Sequence, residues 1–171
     1  IEHLAGQGIT EFDFILSHMP EKLESLLQDG TQWGCTFRYH LTRRADRPYG
    51  ILKTLKLDQA VSPVLICHAD RLPAIDVKNS IPSPQFPAPV LFCRKDGELI
   101  DNPEWTGWAW LPGRLLDGLA TDIDEIELEQ QLVSRARDHG TMVAVDEVLD
   151  MRTYDNVIKS QTLALEGGFP G

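Results

Sequence analysis

No stretch of the sequence is apolar for long enough to span a bilayer, and no secretory leader opens it. The chain is therefore read as a cytoplasmic protein without a membrane partner. Cysteine is scarce. Cys35, Cys67 and Cys93 are odd in number, widely spaced and without a CxxC pair, which argues against a disulfide framework or a cysteine zinc site and for reduced thiols. Positive charge is short as well. Lys and Arg number 16 against 26 Asp and Glu, the net charge is −10, and no basic stripe forms, so nucleic acid is not expected as a main partner. An anionic nucleotide stays within reach if a metal ion and backbone N–H groups supply the positive field. Internal repeats and low-complexity segments are missing too.

What is present is ordinary globular composition: 171 residues, 42% apolar and 25% charged, enough for one domain over 1–171 with a real core. The patterning alternates strands with helices. Residues 1–8 read as a helix tail, 9–17 as a strand, 20–28 as a helix opened by Pro20, and 35–41 as a second strand. A polar loop from Thr42 to Gly50 and a short helix from Ile51 to Leu57 lead to the run Pro63 to Asp76. Four prolines between Val77 and Pro89 mark an exposed connection. Val90 to Arg94 and Glu98 to Ile100 flank a hairpin turn at Lys95-Asp96-Gly97. Trp105 to Leu111 alternates as a strand, and Pro112 to Leu119 reads as a helix. Asp124 to His139 is the clearest helix, acidic at its start, basic at its end, with Ile126, Leu128, Leu132, Val133 and Ala136 on one face. Thr141 to Val145 is a strand, Val148 to Asp150 runs into a loop, and Thr153 caps a last helix with Val157 and Ile158 inward, stopped by Gly167-Gly168. The class is α/β, with a Rossmann-like, mostly parallel sheet flanked by helices.

The run Pro63 to Cys67 reads as a strand buried on both faces, as in a parallel sheet. Asp70 is the first carboxylate after it, at the carboxyl end where open α/β sheets bind ligands. It can hold a hard cation such as Mg²⁺, or simply cap a turn. The tryptophans 105, 108 and 110 could stack on a base or sugar, or pack the core. Arg43, Arg44 and Arg47 are an anion clamp or a solvated loop. Cys67 and His68 suggest a thiol nucleophile or a metal-hydrolase site, but Cys67 lies inside the apolar run as an inert thiol would. His3, His18, His40 and His139 read as solvated or packed, and the acidic run 122–129 as a helix start.

In order and spacing, these segments resemble the sugar-phosphate nucleotidyltransferase family. Gly8-Ile9 to Gly30 and Trp33-Gly34-Cys35 resemble its early helix–strand–helix run. Pro48-Tyr49-Gly50 sits where the family has Pro-Leu-Gly, Val64 to Asp70 resembles its apolar strand ending in Asn-Gly-Asp, Trp105-Thr106-Gly107-Trp108 stands at an Asn-Ala-Gly-aromatic element, and Leu149 to Thr153 is similar to its Leu-Asp-Ile-Gly-Thr ending. The resemblance implies a nucleotidyltransferase (glycosyltransferase-A-like) fold. It implies Mg²⁺-dependent transfer from a nucleoside triphosphate to a sugar 1-phosphate with release of pyrophosphate, serving polysaccharide or glycoconjugate synthesis. Asp70 and Asp150 would be the catalytic, metal-holding carboxylates. Pro48 and Gly50 would contact the nucleotide, and Trp105, Thr106 and Gly107 the sugar. A homo-oligomer is compatible with it.

The departures are specific. The family's opening strand and Gly-rich phosphate loop have no counterpart, so the domain is read as N-terminally incomplete, with Gly167 to Gly171 as a junction to a further region. Ile51-Leu52-Lys53 replaces Thr-Ala-Gly, Trp105 an Asn, and Met151-Arg152 replaces Ile-Gly; no Glu-Lys-Pro follows Val90. These motivate the alternative that the domain binds nucleotide or sugar, or regulates, without catalysis.

Overall fold

The computed structural model describes residues 1–55, 63–83, 86–95, 103–119 and 122–165. Along the chain run α1 (Glu2–Gly6), β1 (Glu11–Leu16), α2 (Pro20–Leu27), a 3-10 turn (Thr31–Trp33), β2 (Thr36–Leu41), a 3-10 segment (Pro48–Thr54), β3 (Pro63–Cys67), β4 (Arg71–Pro73) and α3 (Val77–Ser80). Then come β5 (Val90–Arg94), β6 (Glu104–Pro112), α4 (Gly113–Asp117), α5 (Glu125–His139), β7 (Thr141–Val145), β8 (Val148–Asp150) and α6 (Tyr154–Leu165). Positions 56–57 of the expected 51–57 helix, Asp96-Gly97 of the expected turn, the strand at Glu98–Ile100 and the Gly167-Gly168 stop lie outside the described residues.

β6 is the strand around which the core forms. It runs in a four-stranded sheet of order β3-β6-β5-β7, antiparallel to β3 and β5, with β7 parallel to β5. Every residue from Trp105 to Pro112 is buried. Because side chains alternate across a strand, Trp105, Ala109 and Leu111 enter one core with Leu116, Leu128, Leu132 and Ala136. Trp108 and Trp110 enter the other, with Ile75, Val77, Phe92 and Val145, closed by Leu4 and Ile9. Burying three indoles outweighs burying the smaller side chains of Pro63–Cys67. The expectation for β3 is thereby corrected. It is antiparallel to β6, only Ile66 in it is fully buried, and its other edge has no strand partner among the described residues.

β1 and β2 form a separate parallel pair. One face carries Phe12, Phe14, Phe37 and Tyr39 in stacked and edge-to-face contacts, with Trp33 against Phe37. The opposite face carries Asp13, which accepts from Arg38 and pairs with His40. β4 and β8 form a third, antiparallel pair. Three local expectations change, at residues 148–150, at Val77–Ser80 and at the two isoleucines 126 and 158. Residues 148–150 pair as a strand rather than a loop. Val77–Ser80 is helical, because the Asp76 carboxylate accepts from the Asn79 N–H at 3.0 Å and caps it. Ile126 and Ile158 face solvent instead of the core, and the leucines 23 and 26 of α2 are exposed. α5 begins on a full capping box between Asp124 and Glu127.

Candidate functional site

The chain leaves the core at the carboxyl end of β3 and turns through His68, Ala69 and Asp70 into β4. Pairing of β4 with β8 sets Arg71 opposite Asp150, and the Met151 N–H donates to the Asp70 carbonyl at 2.8 Å. Two segments eighty residues apart in sequence thus meet at one rim. The Asp70 side chain is half exposed and accepts from Arg71 Nε at 3.2 Å.

His68 and Arg71 are the groups that tie the neighbouring elements to this rim. Arg71 is 4% exposed and donates to Glu125 at the start of α5 and, at 2.7 Å, to His68 Nδ1. A buried guanidinium is tolerable only with such partners. Since an arginine N–H can only donate, Nδ1 is the bare nitrogen and Nε2 carries the proton. Nε2 then donates to the Tyr49 hydroxyl at 2.7 Å, with the rings stacked at 5.9 Å. Burial, reinforced by the Arg71 charge, pushes the His68 pKa down and keeps the ring neutral. Burial also pushes the Tyr49 hydroxyl up. Through Tyr49 the 3-10 segment holding Pro48 and Gly50 is pinned to the end of β3, beside Asp70.

Asp150 is 4% exposed. Ser160 of α6 accepts from its N–H and donates to its carbonyl, at 2.8 and 3.0 Å. Its Oδ1 accepts from Arg152 N and Nε, both at 3.0 Å. Its Oδ2 accepts from Arg152 Nε at 3.1 Å and Nη2 at 2.5 Å, and from Arg94 Nη2 at 3.4 Å. Glu104 closes the square by pairing with both arginines. Hydrogen bonding from Arg152 holds the Asp150 carboxyl down to about 2. A depressed carboxylate stabilises the fold above its unfolded pKa and loses that stabilisation as pH falls. From the ordinary 3.8 to about 2, this is about 2 kcal/mol. Urea unfolding from pH 5 down to pH 2 should therefore show the gap between the native chain and Asp150→Asn shrinking across about pH 4 to 2; a constant gap would refute the pairing.

The other expected site residues are distributed unevenly. Trp105 is 2% exposed and its indole N–H donates to the Trp108 carbonyl at 2.8 Å; Thr106 is 3% exposed and donates to the Phe92 carbonyl at 2.8 Å. Their side chains are spent within the core. Gly107, at φ +81, accepts from the His68 N–H at 3.1 Å, and a Cβ there would lie 2.8 Å from the His68 side chain. Its part is to let β6 pass beneath His68. Arg44 pairs with Asp46 and Asp122, and Arg47 donates to the Asp122 carbonyl and to Glu127, so these two anchor their loop to the start of α5. Burial pushes the Cys67 thiol well up, which makes it inert. Sequence reasoning places Glu125 only in a helix start and gives Arg71 no role. The available signal is an arginine directly after the candidate aspartate and before the apolar stretch Leu72 to Ile75.

The donor set does not fit a two-carboxylate Mg²⁺ clamp. Among the described residues no three His, Cys, Asp or Glu side chains gather as a metal site, and both Asp150 oxygens are taken by guanidinium and backbone N–H groups. Of the two aspartates, Asp70 is the one with an exposed carboxylate.

Comparison with known proteins gives a fold without a sequence family. No family model matches the chain, and no curated protein matches it. Among solved structures it is similar to a Bacillus anthracis protein assigned as a glucose-1-phosphate thymidylyltransferase and solved in complex with sucrose. The TM-score is 0.62 at 11% identity, over 94% of this chain and 78% of that one. It is also similar to HddC from Yersinia pseudotuberculosis, with a TM-score of 0.66 at 12% identity, over 93% of this chain and 80% of that one. The chain has the α/β fold of these proteins.

Proposed function

We propose that the chain transfers a nucleotidyl group from a nucleoside triphosphate to a sugar 1-phosphate. The observation that carries the reading is the meeting of three segments at one rim: the Tyr49-pinned 3-10 segment, the end of β3 with Asp70, and the end of β8 with Asp150. Support comes from the fold shared with the thymidylyltransferase-like protein and HddC. In this reaction an oxygen of the sugar phosphate attacks the α-phosphorus, a new P–O bond forms, and the bond to pyrophosphate breaks. The protein's work is alignment and charge compensation rather than covalent chemistry. Pro48 and Gly50 would face the nucleotide, and the half-exposed Asp70 would orient the reacting groups. Gly107 would act on the sugar side only by setting the height of β6 under His68.

The test is pyrophosphate release from ATP, GTP, CTP, UTP or dTTP with sugar 1-phosphates, across a range of Mg²⁺ concentrations. Turnover is expected with one pair, and Asp70→Asn should lower kcat on the order of a hundredfold with unchanged unfolding midpoint. Turnover indifferent to Asp70 would refute the assignment. A second reading, nucleotide or sugar binding without catalysis, is favoured by the closed state of Asp150, and binding of a nucleotide without release of pyrophosphate would select it.

A further inference from the structure

The resemblance expects Asp150 to share a divalent cation with Asp70, and the geometry around Asp150 disagrees. A carboxylate has about four lone-pair directions. Here five N–H contacts converge on the two oxygens: three from the Arg152 side chain, one from the Arg152 backbone and one from Arg94. Mg²⁺ demands oxygen ligands at about 2.0–2.1 Å in near-octahedral array and gives up its waters reluctantly. No such approach to Asp150 exists while Arg152 is in place.

Three further observations show that the pairing is built rather than incidental. Ser160 clamps the Asp150 backbone from both sides, so the strand end that carries the carboxylate is held in place. Arg152 is only two residues distant, and its own N–H already bonds Oδ1, so its guanidinium returns to the carboxylate as a tethered partner at high effective concentration. Glu104 then holds the far side of both Arg152 and Arg94, which makes the cluster electrically complete with two carboxylates and two guanidinium groups.

We propose that Arg152 is a resident cation on Asp150, closing it to divalent metal ions, with Arg94 as its support. The rim is thus a metal position filled from within the chain. The inference leans on the proposed reaction only in where a cation would be expected; the closure stands on the geometry of Asp150 alone.

The experiment uses Mn²⁺ as probe, read by paramagnetic broadening of backbone amides, without nucleotide. All proteins carry Asp70→Asn, so that only the Asp150 side is observed. In this parent, Mn²⁺ should broaden no amide around Asp150 selectively. Adding Arg152→Gln should create a saturable site, with broadening centred on Arg94, Met151 and Ser160 and affinity at least about tenfold above the parent, and a further Asp150→Asn should abolish it. Arg152→Lys keeps the charge but not the planar fork, and should give a smaller gain. Amide spectra confirm that each protein is folded; if Arg152→Gln is not, Arg152→Lys decides alone. Selective Mn²⁺ binding at Asp150 in the parent would overturn the inference, as would folded Arg152 variants that gain none. Neither result bears on pyrophosphate release, so the proposed reaction stands or falls separately.

Discussion

Gly140→Ala is expected to lower stability by about 2–4 kcal/mol, a large share of the 5–15 kcal/mol that a domain typically has. The reason is steric and lies in the backbone. Gly140 ends α5, its N–H donating to the Ala136 carbonyl at 3.0 Å, and the next residue starts β7 by donating to the Pro89 carbonyl at 3.1 Å. A Cβ at Gly140 would lie 2.7 Å from the Ala136 Cα and closer still to the Pro89 carbonyl oxygen. Side chains can rotate away from an added methyl group, but these two backbones are fixed by α5 and by the β5–β7 ladder. Relief would require lifting the helix end off the sheet, at the expense of Leu132 and Ala136, both in the core. The φ of Gly140 is −108, so the cost is contact and not conformation. Gly118→Ala is the control. There the nearest atom to an added Cβ is 3.5 Å away, and the change should be neutral within about 1 kcal/mol. Urea unfolding of both variants makes the comparison. A Gly140→Ala midpoint equal to the native one would mean that helix and strand do not meet this closely.

Much of the chain order was readable because its signals are local. The helix at 125–139 was announced by acidic residues at one end, basic ones at the other and a glycine after them, all of which act within a turn. β5 and β7 begin and end where composition put them. The errors have a common origin in competition between segments. Pro63–Cys67 has the apolar run of a central strand, yet Trp105–Leu111 has the larger side chains, and the centre of the sheet went to the latter. Leu23 and Leu26 share a helical face but meet no core. Which apolar face is buried depends on what the rest of the chain offers, and periodicity within one segment does not contain that information. For the site, Asp70 stands out in the sequence because it follows an apolar run at a strand end, whereas Asp150 is singled out only by the family resemblance. Their partners do not stand out. Arg71 lies buried against His68 and Glu125, the latter fifty-four residues away in sequence, and Arg152 bonds Asp150 and Glu104, the latter forty-eight residues away. Charge pairing across such separations leaves no periodic trace.

The largest loss is expected at Trp105, where it also separates a sugar contact from a core residue. Trp105→Ala should destabilise by about 3–5 kcal/mol, because a 2% exposed indole leaves a cavity under β6. The cavity would open directly below His68, whose ring meets Trp105 edge-on at 5.0 Å. The His68 contacts to Tyr49 and Arg71 would then lose their floor. Trp105→Phe is the informative partner. It keeps most of the ring volume but removes the N–H that donates to the Trp108 carbonyl at 2.8 Å, and a lost hydrogen bond of this kind costs about 0.5–1.5 kcal/mol. A side chain this deeply buried has no surface to offer a ligand. In the folded fraction, Trp105→Phe should therefore change sugar 1-phosphate affinity by less than about twofold while the unfolding midpoint falls. Calorimetric binding beside denaturant unfolding reads both quantities. If affinity collapses while stability is kept, the indole meets the sugar in a state of the chain different from this one, and the packing of β6 on His68 would have to open to admit it.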